Sequence, residues 1–174
     1  MFRMRKATAA DTPAVTEMIR SRCTWLEGQG LESWRDKADN LAGLAGAGYM
    51  WVLESEGRIV GCTTVTDHAP PKDWTPEEAA EESLYLFTTV TDPAYRGHKP
   101  GTLIALWAVD RAARQGKDWV RRGCFFPELA KYYETQGFSL VKEQERRSGH
   151  LYLMARRAER LDLTPFGLSA FTDN

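Results

Sequence analysis

The stretch over residues 83–115 constrains this chain more than any other. An apolar, β-branched run, SLYLFTTVT, breaks into a Pro/Gly-rich turn over 92–101 and resumes as an apolar helix from Thr102 to about Gln115. A strand without polar alternation is expected to be buried on both faces. A strand followed by a helix and another strand closes as a parallel, right-handed unit. The next segments supply that unit: Lys117–Cys124 reads as a strand, Pro127–Thr135 as a helix stopped at Gly137, and 138–144 with 149–156 as a hairpin.

The N-terminal half has a different grammar. A short strand over 3–7 precedes a helix start, where Asp11 or Thr12 is placed to cap and Pro13 suits the first turn. Val15, Met18, Ile19, Cys23 and Leu26 recur at helical spacing, and Gly28 and Gly30 end the run. A second helix is expected over Leu31–Leu44, with Leu31, Trp34, Ala38, Leu41 and Leu44 on one stripe. Tyr49–Glu54 and Arg58–Thr66 then read as a hairpin about Ser55-Glu56-Gly57. Residues 67–82 are a loop, with one helical turn starting at Thr75. The expected order is β-α-α-β-β-β-α-β-α-β-β, a mixed α/β (α+β) layer built on a twisted central sheet flanked by helices. Residues 1–157 are expected to form one domain, and 158–174 a tail carrying Leu161, Leu163, Phe166, Leu168 and Phe171. Three uses are open to the tail: covering the sheet edge, capping a pocket, or joining two protomers as a homodimer.

Composition narrows the function classes. A chain of 174 residues that is 43% hydrophobic and 27% charged can build a core. A net charge of −1 lacks the basic excess of a dedicated nucleic-acid binder. No apolar run is long enough to span a membrane. The opening MFRMRKATAAD has no apolar stretch of the signal-peptide kind. Cys23, Cys62 and Cys124 are far apart, without the spacing of a zinc site or a disulfide framework. A cytoplasmic protein without a metal centre is expected.

The turn over 92–101 is the candidate site. The first N–H groups of a helix have no intrahelical acceptor, and the helix dipole adds partial positive charge there. Small residues let an anion approach, and Arg96, His98 and Lys99 bring further donors to the same mouth. The expected ligand is a phosphate or pyrophosphate. The plainer reading is a strand–helix connection with a solvated basic turn.

The run Thr91-Asp92-Pro93-Ala94-Tyr95-Arg96-Gly97-His98-Lys99-Pro100-Gly101 resembles the acyl-CoA-binding motif of the GNAT N-acetyltransferase superfamily. Tyr132-Tyr133-Glu134-Thr135-Gln136-Gly137-Phe138 resembles that family's Tyr-x-x-x-Gly-Phe segment. The resemblance covers roughly residues 2–156 and implies the GNAT fold. It also implies transfer of an acetyl group from acetyl-CoA to a primary amine of a small acceptor. It points to Thr89, Val90, Thr91, Arg96, Gly97, His98, Lys99, Gly101 and Thr102 for the cofactor, and to Tyr133 as the acid that protonates the departing thiolate. Three departures stand out. Lys99 replaces the first glycine of the usual Gly-x-Gly, Pro100 brings no N–H, and Phe126 stands where many members have Asn.

The general base is less defined. Many relatives carry a glutamate on the strand before the turn, but Leu84–Val90 holds no carboxylate. Glu81 and Glu82, just ahead of it, are the nearest candidates, and both also read as solvated charge in an acidic loop. Asp67 and His68 offer a proton relay, and ordered water would need no single residue. The loop's Asp67, Asp73, Glu77, Glu78, Glu81 and Glu82 would favour a cationic acceptor if they faced the pocket, with Trp74 as an aromatic wall. Otherwise the loop is a solvated lid with Trp74 over the core. Two further functions stay open: a protein N-acetyltransferase, and a CoA-binding sensor without turnover.

Overall fold

The computed structural model describes residues 1–70 and 72–169. Phe171 of the tail therefore lies outside the described residues. Seven strands form one mixed sheet in the order β1-β2-β3-β4-β5-β7-β6. They are β1 (Phe2–Lys6), β2 (Met50–Ser55), β3 (Arg58–Thr66), β4 (Ser83–Thr91), β5 (Trp119–Cys124), β6 (Ser139–Arg146) and β7 (Gly149–Arg157). The helices are α1 (Thr12–Gly28), α2 (Ala38–Ala42), the single turn α3 (Pro76–Ala79), α4 (Pro100–Arg114) and α5 (Pro127–Thr135). The described residues contain no helix long and apolar enough to cross a membrane.

The chain divides into two compact units. The first comprises residues 1–64, 88–104 and 162–174. In it β1 and β2 pair antiparallel from Phe2↔Ser55 to Lys6↔Trp51, and β2 and β3 form the expected hairpin. Helix α1 buries Val15, Met18, Ile19 and Cys23. These pack with Ala38, Ala42, Ala45, Met50, Val52, Ile59, Cys62 and Val90. Two expectations change here. Asp11 occupies the N-cap of α1 but makes no side-chain cap bond. Its carboxylate instead accepts from the Thr8 amide and from the Arg5 guanidinium. The helix expected over Leu31–Leu44 shrinks to α2, flanked by 3₁₀ turns at 35–37 and 43–46. Leu31 and Leu44 are exposed, so the outer ends of the apolar stripe gain nothing from burial.

The tail meets the outer strand. The Phe2 amide donates to the Gly167 carbonyl at 2.8 Å, and the Ser169 amide donates to the Phe2 carbonyl at 2.8 Å. Leu163 and Leu168 are buried. Of the three uses open to the tail, covering the sheet edge is the one these bonds support.

The second unit comprises residues 65–87 and 105–161. Here β4 runs parallel to β5 from Ser83↔Trp119 to Leu86↔Arg122, where the paired register ends. Ser83–Leu86 are buried, whereas Phe87 and Thr88 are exposed. The expectation of burial on both faces thus fails at the point where β5 stops pairing. Antiparallel β7 lies between β5 and β6. Helix α4 buries Ala105–Val109 and Ala112. Its Asp110, 1% exposed, pairs with Arg114 at 2.6 Å and accepts the Leu161 amide at 2.9 Å. Gly137 follows α5 at φ 87°, the left-handed stop that a glycine takes without a Cβ penalty.

Candidate active site

In the first unit the end of β4 is fixed from two sides. The Thr89 hydroxyl shares a 2.9 Å hydrogen bond with that of Thr63 on β3. Arg22 of α1 donates to the Thr91 carbonyl at 2.9 Å and to the Thr91 hydroxyl at 2.6 Å. Val90 between them is buried in the core. Asp92 then caps a 3₁₀ turn, Pro93–His98, by accepting from the Ala94 amide at 2.9 Å. Its other carboxylate oxygen pairs with Arg58 at 2.8 Å. Gly61 of β3 lets the segments close up. A Cβ there would meet Ile104 Cδ1 at 3.0 Å and the Val90 carbonyl oxygen at 3.5 Å.

The residues of the turn divide into anchors and open groups. Arg96, Gly97, His98 and Lys99 are all exposed. Arg96 folds back to its own turn, donating to the Pro93 carbonyl at 3.2 Å. The His98 ring sits between Phe2, 5.5 Å away, and Tyr95, 6.0 Å away. A Cβ on Gly97 would meet nothing within 4 Å, so close packing is not what requires glycine there. Lys99 adopts the left-handed conformation, φ 51° and ψ 57°. Its carbonyl accepts both the Thr102 amide at 3.0 Å and the Leu103 amide at 3.2 Å. Two of the first helical amides are therefore already engaged. Pro100 has none to offer. The Gly101 amide has no acceptor among the described residues. The donor set left open to an anion is thus narrower than a whole first turn: one amide, the dipole of a 15-residue helix, and the cations Arg96 and Lys99 on the turn before it.

In the second unit α5 presents Tyr133, which is 7% exposed. The guanidinium carbon of Arg122, from β5, lies 3.7 Å from the centre of its ring. Burial raises the Tyr133 phenol above its ordinary pKa, and the Arg122 charge pulls it back down. Tyr132, its neighbour, is 37% exposed.

The sequence profile of the Acetyltransferase (GNAT) family matches residues 16–138. This chain belongs to the GNAT acetyltransferase family. Curated proteins gave no match to the sequence. Solved GNAT structures share its fold. An acetyltransferase from Listeria monocytogenes superimposes with a TM-score of 0.69 at 18% identity, covering 90% of this chain and 94% of that one. The ribosomal-protein-S18-alanine N-acetyltransferase from Escherichia coli gives 0.64 at 15% identity, covering 93% and 97%. YncA from Salmonella typhimurium, solved with acetyl-CoA, gives 0.61 at 20% identity, covering 92% and 95%.

The candidate bases of this GNAT chain have structural partners. Glu81 accepts from Arg121 at 2.8 Å and from the Trp119 indole at 2.7 Å. Glu82 pairs with Lys117 at 3.1 Å. Two more carboxylates of the loop follow the same rule: Asp73 pairs with Arg146, and Glu78 with Lys142. Four of the loop's six carboxylates thus neutralise Arg121 of β5, Lys142 and Arg146 of β6, and Lys117 ahead of β5. Trp74 is 4% exposed, with Arg121 4.6 Å over its ring. The loop is a strap with its tryptophan on the core and four of its carboxylates held in local ion pairs.

Sequence reasoning missed Gly61, Arg22 and Arg122. A lone glycine inside a β-branched strand signals a close approach, so Gly61 carried a readable clue. Arg22 and Arg122 carried none, since a single arginine on a helix or strand reads as solvated charge.

Proposed function

We propose that this GNAT protein is an N-acetyltransferase that moves the acetyl group of acetyl-CoA to the primary amine of a small acceptor. The observation that carries the reading is the Asp92–Gly101 turn, with an open Gly101 amide at the head of α4 and exposed Arg96 and Lys99 beside it. A pyrophosphate is the anion that such a set of donors takes best. His98 lies in the same turn and Thr102 directly follows it, and Gly97 leaves room around it.

Acetyl-CoA supplies an activated thioester. The protein's tasks follow from the chemistry of attack on it. The acceptor amine, with a pKa near ~10, must first lose a proton. Glu81 and Glu82 are tied into ion pairs, so ordered water is the better acceptor for that proton. The acyl oxygen gains negative charge as the N–C bond forms, and backbone N–H groups of β4 between Thr89 and Thr91 are suited to stabilise it. The C–S bond then breaks with its electron pair going to sulfur, and Tyr133 supplies the proton. Charge selection by the 67–82 loop is not part of this reading, because four of its six carboxylates are already paired with cations.

Thiol release from acetyl-CoA across a panel of small amines and N-terminal peptides tests the proposal. Turnover with at least one small amine is expected, and Gly101→Asp should weaken CoA binding at least about tenfold by placing a like charge at the phosphate mouth. Turnover with peptides alone would make the protein a protein acetyltransferase. Tight CoA binding without thiol release on any amine would make it a sensor.

A further inference from the structure

We infer that Arg122 is a positioning residue for Tyr133, holding its ring and stabilising the phenolate left when the proton departs. The inference rests on the proposed role of Tyr133 as the acid. Arg121 and Arg122 are adjacent on β5, so their side chains leave opposite faces of the strand. Arg121 is accounted for on its side by Glu81, the Glu78 carbonyl and the Trp74 ring. Arg122 enters the other side, 2% exposed, and its guanidinium lies 3.7 Å from the Tyr133 ring centre and 5.7 Å from that of Phe138.

Burying a guanidinium is costly, so its placement needs a return. Against a neutral phenol the return is a cation–π contact. Against a phenolate it is a full charge pair in a site from which water is excluded, which is much stronger. The interaction therefore grows in the direction of proton transfer, the condition for lowering a barrier. The other titratable groups acting on Tyr133 are Cys124 from β5 and Tyr132 from α5, and both oppose ionisation, as does burial. Arg122 is the group that favours it. The proton goes from the Tyr133 hydroxyl to the thiolate sulfur as the C–S bond breaks, and solvent later returns a proton to the phenolate.

The experiment replaces Tyr133 by 3-fluorotyrosine and follows its ionisation by fluorine NMR. Arg122→Gln should raise the midpoint by about one pH unit or more, and Arg122→Lys should keep it within about half a unit. In the unlabelled enzyme Arg122→Gln should lower kcat about tenfold and move the alkaline limb of its pH profile upward, with acetyl-CoA affinity within about twofold. In a Tyr133→Phe background the same change should lower kcat no further. An unmoved midpoint, or an equal loss in the Tyr133→Phe background, overturns the inference. Should Arg122→Gln fail to fold, the Arg122 guanidinium carbon in the fluorotyrosine protein with Arg122 intact should titrate with the Tyr133 midpoint and stay flat in Tyr133→Phe. A flat signal in both overturns the inference. Wild-type turnover by Tyr133→Phe alone would instead remove the acid role, and with it any part for Arg122 in catalysis.

Discussion

Lys99 carries two opposed effects in one residue. Its left-handed backbone costs a non-glycine residue roughly 1 kcal/mol, which explains why the resembling motif usually has glycine there. Its exposed ammonium is carried two residues before the open Gly101 amide, so a diphosphate held at that amide would gain a charge-assisted contact. Lys99→Gly should therefore raise Tm by a few degrees in a thermal melt. It should also weaken CoA binding severalfold at low salt, with the gap closing as ionic strength rises. Unchanged affinity would leave Lys99 as strain without a use. Asp11 is a second residue whose worth is conditional. The Arg5 guanidinium beside it holds its carboxyl down at about 2 against an ordinary 3.8. A carboxyl depressed in the folded state stabilises above its unfolded value and loses that contribution as pH falls through the folded one. About 2 kcal/mol should disappear between pH 3.8 and about 2, and Asp11→Asn should lack that slope in urea titrations across the range. The Lys99 departure was legible in the sequence because it broke a motif. The role of Asp11 was not, since a cap and an ion-pair partner are spelled with the same letter.

At the level of elements, hydrophobic period carried most of the information. Strand β3, strand β4 and helix α5 lie where the sequence placed them, because each is bounded by glycine, proline or a change of period. The second helix did not survive, because its stripe depended on Leu31 and Leu44 being buried, and burial is a tertiary fact. The 67–82 loop shows the same limit. Its acidity was plain, but the cations that neutralise it come from 117, 121, 142 and 146, far along the chain. Glu81→Gln tests the strap reading. It leaves Arg121, 3% exposed, without its carboxylate, so stability should fall by about 1–2 kcal/mol in chemical denaturation. The Michaelis constant for a cationic acceptor should stay within about twofold. A large rise confined to cationic acceptors would return the loop to the substrate.

For the molecule as a whole, the seven-stranded order leaves β1 and β6 as the outer strands, and open strand edges invite pairing with other chains. The tail answers this at β1, where its 167–169 segment takes up both backbone groups of Phe2 and sets Leu168, 2% exposed, against the unit's interior. Two separable contributions follow. Leu168→Ala removes buried volume and should cost about 2–4 kcal/mol. Ser169→Pro deletes the amide that donates to Phe2, so it should cost about 1 kcal/mol and leave the edge open. Urea denaturation measures the first effect, and light scattering against protein concentration measures the second. Both variants should stay discrete when dilute, with Ser169→Pro gaining scattering steeply as concentration rises. The opposite pattern, wild-type stability with the loss of a defined dimer, would assign the tail to joining protomers, because a segment that only covers its own chain's edge cannot change a stoichiometry without first weakening the fold.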